Sequence, residues 1–136
     1  MQVVVCKDAC EGAEIVTREI LNALSRKPGL VLGLATGSTP IGVYERLVAA
    51  HREDGVDFSS VQTFNLDEYF PMQPNELQSY VRFMNEHLFD RVDIDRTNIQ
   101  IPDGTLAETD VYAACQKYEK AIDDAGGIDI QILGIG

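Results

Sequence analysis

The stretch "LVLGLATGSTPIGVYERL", residues 30–47, changes character twice within eighteen positions. Leu30 to Ala35 is apolar throughout, as a parallel strand covered on both faces must be. From Pro40 onward Ile41, Tyr44, Leu47 and Val48 recur at helical spacing, so a helix is expected there, ending near Gly55. Between them lies Thr36-Gly37-Ser38-Thr39, small and rich in hydroxyls. Pro40 suits a first helical turn, and Thr39 is the expected cap. The unit is therefore strand, tight turn, helix, and its loop faces the unpaired N–H groups and partial positive charge of a helix N-terminus.

Working outward, Gln2 to Cys6 is predicted as a first strand. The segment from Asp8 to Lys27 is predicted as a helix, capped by Asp8 and stopped by Pro28-Gly29. Val61 to Asn65 is expected as a further strand, Leu66 to Asn75 as a polar loop, and Leu77 to Phe89 as a helix with Tyr80 facing inward. Residues 91–104 read as irregular, with a short extended piece at Ile99 to Ile101. Val111, Cys115, Tyr118 and Ile122 mark a helix from about Glu108 to Ala125, which gives Cys115 a place in the core. Gly126-Gly127 ends it before a last strand, Ile128 to Ile135. Strands alternating with helical crossovers predict an α/β fold with a mostly parallel, doubly wound sheet. Working groups in such sheets lie just past the carboxyl ends of the strands. The residues that would follow the fourth main strand do not occur, so the sheet is expected to be truncated there, with 1–136 forming a single partial domain.

Composition bounds the partners. The chain has 136 residues and a net charge of −11, with 11 basic against 22 acidic residues. A nucleic-acid surface is excluded as a partner, because phosphate-backbone affinity needs clustered Lys and Arg. No apolar run approaches the ~20 residues of a membrane span, and no secretory leader is read at the N-terminus. Three cysteines without a C-x-x-C pair give no disulfide framework and no metal site, so reduced thiols in a cytoplasmic setting are expected. His51 and His87 stand alone in helical patterns and read as ordinary helix residues.

An anion bound by so acidic a chain must be held locally. The 36–39 loop lacks the Walker pattern G-x-x-x-x-G-K-[ST] and the dinucleotide pattern G-x-G-x-x-G, so a single phosphate monoester fits it better than a nucleotide. A plain capped turn is the alternative. In "TFNLDEYFP", residues 63–71, Asp67 and Glu68 follow a strand at its carboxyl end. A carboxylate there can move a proton on a substrate anchored next door. Adjacent residues point apart, so one of the two is expected to act and the other to support the site.

Four stretches, "LGLATGSTPIGVYERLV", "TFNLDEYF", "SYVRFMNEHLFDRVDI" and "GGIDIQILGIG", together resemble the glucosamine-6-phosphate deaminase (isomerase) family. The resemblance implies a Rossmann-like sheet of the kind shared with ribose-5-phosphate isomerases and 6-phosphogluconolactonases. It implies conversion of glucosamine 6-phosphate and water to fructose 6-phosphate and ammonia, with a sugar phosphate as the small-molecule partner and with no metal or other cofactor. It assigns Thr36, Gly37, Ser38 and Thr39 to the sugar phosphate and Asp67 to proton transfer between carbons one and two; Glu68 and Gly136 are expected as site support beside them. Family members continue past "ILGIG" into a segment with a ring-opening histidine and an "FNEP" glutamate, so residues 1–136 alone are expected to be inactive. The "NLDEYF" wording favours a deaminase over a lactonase, which resembles "DER" there. A non-catalytic sugar-phosphate-binding module is a further alternative, and a homo-oligomer is left open.

Overall fold

A computed structural model describes residues 2–134. Four helices, α1 (Ala9–Arg26), α2 (Ser38–Asp54), α3 (Tyr80–His87) and α4 (Val111–Asp124), alternate with four short strands: β1 (Val31–Leu34), β2 (Gln62–Asn65), β3 (Ile99–Gln100) and β4 (Ile130–Gln131). The sheet order is β3-β2-β1-β4. All three pairings are parallel, with Leu32 opposite Thr63 and Ile130, and Thr63 opposite Ile99. This is the expected α/β, doubly wound parallel architecture.

Local chemistry explains the helices. Asp8 caps α1 by accepting from the Glu11 N–H at 2.9 Å, while the Glu11 carboxylate reaches back to the Lys7 N–H at 2.7 Å. Ala13, Ile20 and Leu24 lie on the buried face of α1. Gly55 closes α2 in the left-handed conformation, φ 70° and ψ 27°, where a side chain would be strained. The main core joins α1, α2 and α3 to one face of the sheet through Ile20, Leu24, Leu32, Leu34, Tyr44, Leu47 and Met84. Each fully buried aliphatic side chain contributes roughly 1.5–3 kcal/mol. On the other face Phe64 meets Tyr118 of α4 edge-on, with ring centroids 5.8 Å apart.

Asp129 fastens β4 to β1. It pairs with Lys27 at 2.6 Å and accepts from the Val31 N–H at 2.8 Å. The hydrogen bond from Lys27 holds its carboxyl below the usual range, followed by the bond from Val31. The stabilisation is therefore present near neutral pH and fades as acid protonates the carboxylate. The pair is partly exposed, so its share is modest.

Several expectations are corrected. Residues 2–6 form no strand, and Val3, Val4 and Val5 are exposed. β-branched residues favour a strand only where an edge pairs with them, and no described strand does. The extended piece expected at Ile99 to Ile101 is present, as the outer strand β3. Helix α3 begins at Tyr80 rather than Leu77, because Ser79 caps it through the Arg82 N–H. Cys115 is exposed, since α4 places Tyr118 and Ile122 against the sheet more deeply than its N-terminal half. Ile135, the expected last residue of the fourth strand, lies outside the described residues.

Candidate functional site

Two loops meet at the carboxyl edge of the sheet. The first leaves β1 at Ala35, whose backbone is locked by a buried tyrosine of α2. The Tyr44 hydroxyl donates to the Ala35 carbonyl at 2.5 Å and accepts from the Ala35 N–H at 3.2 Å. Burial pushes the Tyr44 hydroxyl pKa far upward, so it remains a neutral donor. Tyr44→Phe removes both bonds and orphans two buried backbone groups. Its expected cost is about 1–3 kcal/mol, read as a lower urea midpoint at unchanged slope.

Beyond Ala35, Thr36 is half-buried, while Gly37, Ser38 and Thr39 are exposed. Gly37 has φ 98° and ψ −179°, a conformation essentially closed to residues with a Cβ. It is also the N-cap of α2, so the helix opens at Ser38 and the expected Thr39 cap is corrected to Gly37. No side chain caps this end, which leaves the first N–H groups of α2 facing the loop. The arrangement can accept an anion.

The second loop leaves β2 after Asn65. Asp67 is exposed and makes no side-chain hydrogen bond among the described residues. Glu68 is half-buried and takes donors from Tyr69, Ser79, Tyr80 and Val81. Tyr80, expected to point into the core, instead stands between the loops as the first residue of α3. Its hydroxyl lies near Tyr69 and Thr36 and within the field of Asp67. The neighbouring Tyr69 hydroxyl, then burial, raises its pKa against the opposing influence of Thr36, and the Asp67 charge adds to the rise. The Tyr69 and Tyr80 rings pack at 4.9 Å. Thr36, Asp67 and Tyr80 thus form one polar cluster built from three separate elements.

Under this cluster lies an unusual pair. Thr63 Oγ1 and both side-chain polar atoms of Asn65 are buried without a hydrogen-bond partner among the described residues. Such groups cost free energy unless a water or a ligand satisfies them. Beside the second loop runs a cleft of about 610 Å³, lined by Asp67, Phe70, Gln100, Leu106, Cys115 and Tyr118. Tyr118 shapes its floor by donating to the Asn65 carbonyl at 2.8 Å.

Sequence reading overlooked Tyr80, Ser79 and Asn65. The available signals were a serine just before a helix and a polar residue at the end of an otherwise buried strand. Gly136 lies outside the described residues. His51 is half-buried, with Nδ1 2.8 Å from the Val56 carbonyl, and His87 packs on Phe83 at 4.4 Å, both remote from the cluster in their contacts. No group of three or more His, Cys, Asp or Glu suited to a metal occurs among the described residues. No described helix is long and apolar enough to cross a membrane.

Comparison with known proteins gives these loops a context. Residues 8–136 match the family model described as glucosamine-6-phosphate isomerases/6-phosphogluconolactonase. A glucosamine-6-phosphate deaminase of Shewanella loihica is 53% identical over 136 residues, covering 100% of this chain and 50% of the relative. One from Clostridium novyi is 45% identical, again over the whole chain and 56% of the relative. Among solved structures, a monomeric glucosamine-6-phosphate deaminase superposes with TM-score 0.94 at 37% identity, covering 100% of this chain and 56% of that one. A 6-phosphogluconolactonase from Thermotoga maritima reaches TM-score 0.78 at 29% identity, covering 99% of this chain and 59% of that one. The chain spans about half the length of the curated relatives it matches. With a family match over nearly all of its length and the same fold in two solved relatives, the chain belongs to the glucosamine-6-phosphate isomerase/6-phosphogluconolactonase family.

Proposed function

We propose that this chain carries the phosphate cradle and the proton-transfer carboxylate of a glucosamine-6-phosphate deaminase working in the cytoplasm. The observation that carries the reading is the juxtaposition of the 36–39 loop with Asp67 at the carboxyl edge of the paired strands β1 and β2, where the Leu66 N–H is bound to the Leu34 carbonyl. Thr36, Gly37, Ser38 and Thr39 hold the sugar phosphate through backbone N–H groups at the start of α2 and through hydroxyls. Helix-end attraction contributes only ~0.3–2 kcal/mol, so basic side chains outside this stretch complete the grip.

Asp67, without a side-chain hydrogen bond among the described residues and open to solvent, acts as the general base. With the sugar in its open-chain aldehyde form, the carboxylate removes the carbon-two proton. The electron pair forms the carbon-one to carbon-two double bond of an enolamine, and the aldehyde oxygen gains a proton. Return of the proton from Asp67 to carbon one moves the double bond to carbon two and nitrogen. Water adds to that ketimine and ammonia leaves, giving the carbon-two ketone of fructose 6-phosphate. Charge builds on oxygen and nitrogen, where hydrogen-bond donors can stabilise it.

The likeness to the Thermotoga lactonase supports a second reading, hydrolysis of 6-phosphogluconolactone on the same cradle. A substrate panel separates the two. The expected result is ammonia release from glucosamine 6-phosphate by a full-length form, no lactone hydrolysis, and little turnover by residues 1–136 alone. Lactone hydrolysis without ammonia release overturns the deaminase reading. Turnover by residues 1–136 at a full-length relative's rate overturns the division of the site between two halves.

A further inference from the structure

Glu68 follows Asp67 directly and is the more tightly held of the two. One of its carboxylate oxygens accepts from the Tyr69 N–H at 2.8 Å and the Tyr80 N–H at 3.0 Å. The other accepts from the Ser79 hydroxyl at 2.9 Å, the Tyr80 N–H at 2.9 Å and the Val81 N–H at 3.1 Å. Tyr80 and Val81 open α3, so their N–H groups have no partner within the helix and face its positive end. Ser79, completely buried, is the cap of the same helix. The carboxylate thus closes the segment from 68 to 81 on itself, where no described strand or helix precedes α3.

Asp67 has no such anchor of its own among the described residues. Its aim is set by its neighbours in the chain. On one side the Leu66 N–H is bound to the Leu34 carbonyl of β1 at 3.3 Å. On the other side stands the clasped Glu68. The same clasp holds the Tyr80 N–H, and so fixes the residue whose hydroxyl lies within the field of Asp67 and near Thr36.

We propose that Glu68 is a positioning residue for Asp67, clasping the start of α3 so that the neighbouring carboxylate is fixed toward the 36–39 loop. The proposal rests on the deaminase reading for its catalytic consequence and on geometry alone for the clasp. Glutamine at position 68 keeps the length of the side chain, but its amide nitrogen offers hydrogens where the protein also offers them. Aspartate keeps the charge and falls short by one methylene.

The test compares Glu68→Gln and Glu68→Asp, both in the 136-residue chain and in the same residues joined to the C-terminal half of a full-length deaminase. In the shorter chain, amide hydrogen exchange at Tyr80 and Val81 is expected to quicken about tenfold. In the joined chain, kcat for carbon-two hydrogen exchange is expected to fall roughly ten- to a hundredfold, with KM within twofold because the cradle lies on another loop. A purely structural role would lower the yield of folded protein and leave kcat per folded molecule unchanged, which overturns the proposal. Unchanged amide exchange at Tyr80 and Val81 overturns it as well. A joined chain with Glu68 intact that shows no turnover sinks the deaminase reading, and the amide-exchange comparison then upholds or overturns the clasp independently.

Discussion

Asp67→Asn is expected to lower carbon-two hydrogen exchange on glucosamine 6-phosphate by ~10²–10⁴-fold in a full-length form, the usual contribution of a positioned general base. Asparagine is nearly isosteric and Asp67 is exposed, so the fold is not the cause of the loss. Asp67 is also free of side-chain partners among the described residues, so the substitution breaks no hydrogen bond. Substrate affinity is expected to remain, since the proposed phosphate cradle lies on another loop, residues 36–39. The measurement is solvent deuterium incorporation at carbon two beside calorimetric titration with substrate. Retained incorporation would remove Asp67 from the role. Lost affinity with retained exchange per bound molecule would move Asp67 from proton transfer to binding.

Gly104→Ala is expected to produce the second large effect, although Gly104 lies far along the chain from Asp67. A Cβ at this position would stand 2.6 Å from the Tyr69 carbonyl oxygen, 2.9 Å from Met72 Cβ and 3.0 Å from the Met72 carbonyl oxygen. Two of those atoms are backbone and cannot rotate away. The same glycine accepts from the Met72 N–H at 2.8 Å, so the two loops are already in contact and hydrogen-bonded. An added methyl must push residues 69–72 outward, and Asp67 sits two positions before them. Overpacking of this kind costs about 1–3 kcal/mol. A displacement near 1 Å at the carboxylate costs roughly 10²-fold in rate. A urea titration and the exchange assay read the two losses separately. A variant with unaltered midpoint and unaltered exchange would show that the seat under the second loop yields without moving Asp67.

The parts of the fold written in local pattern were legible. Apolar spacing and end signals located α1, α2 and α4, down to Asp8, Gly55 and the Gly126-Gly127 stop. The apolar runs before residues 36 and 66 located β1 and β2, and the strand–helix alternation gave the parallel sheet. What failed depends on partners. Strand character at Val3 to Val5 had no edge to join, whereas the two residues of β3 became a strand because β2 lies alongside. Periodicity predicts Tyr80 in the core, yet its hydroxyl lies near Thr36 beside a loop whose folding no local rule describes. Gly37 and not Thr39 is the cap because the chain leaves β1 through a backbone with φ 98° and ψ −179°, which glycine alone adopts readily. For the site, the carboxyl-edge rule indicated both loops, and the clasp of Glu68 was visible only in three dimensions.

The fastening of β4 to β1 also bears on how the chain reaches its native form. Val31 and Asp129 are separated by 98 positions, and Leu32 pairs with Ile130 at a similar span. By contrast, α1 packs against α2, and β1 against β2, within the first half of the sequence. Contacts of long sequence separation carry the larger loop-closure cost and form late. During synthesis, one margin of β1 therefore waits, solvent-exposed and apolar, until the distant aspartate and its short strand emerge. That interval is when a nascent chain of this design most needs a chaperone or a dilute surrounding.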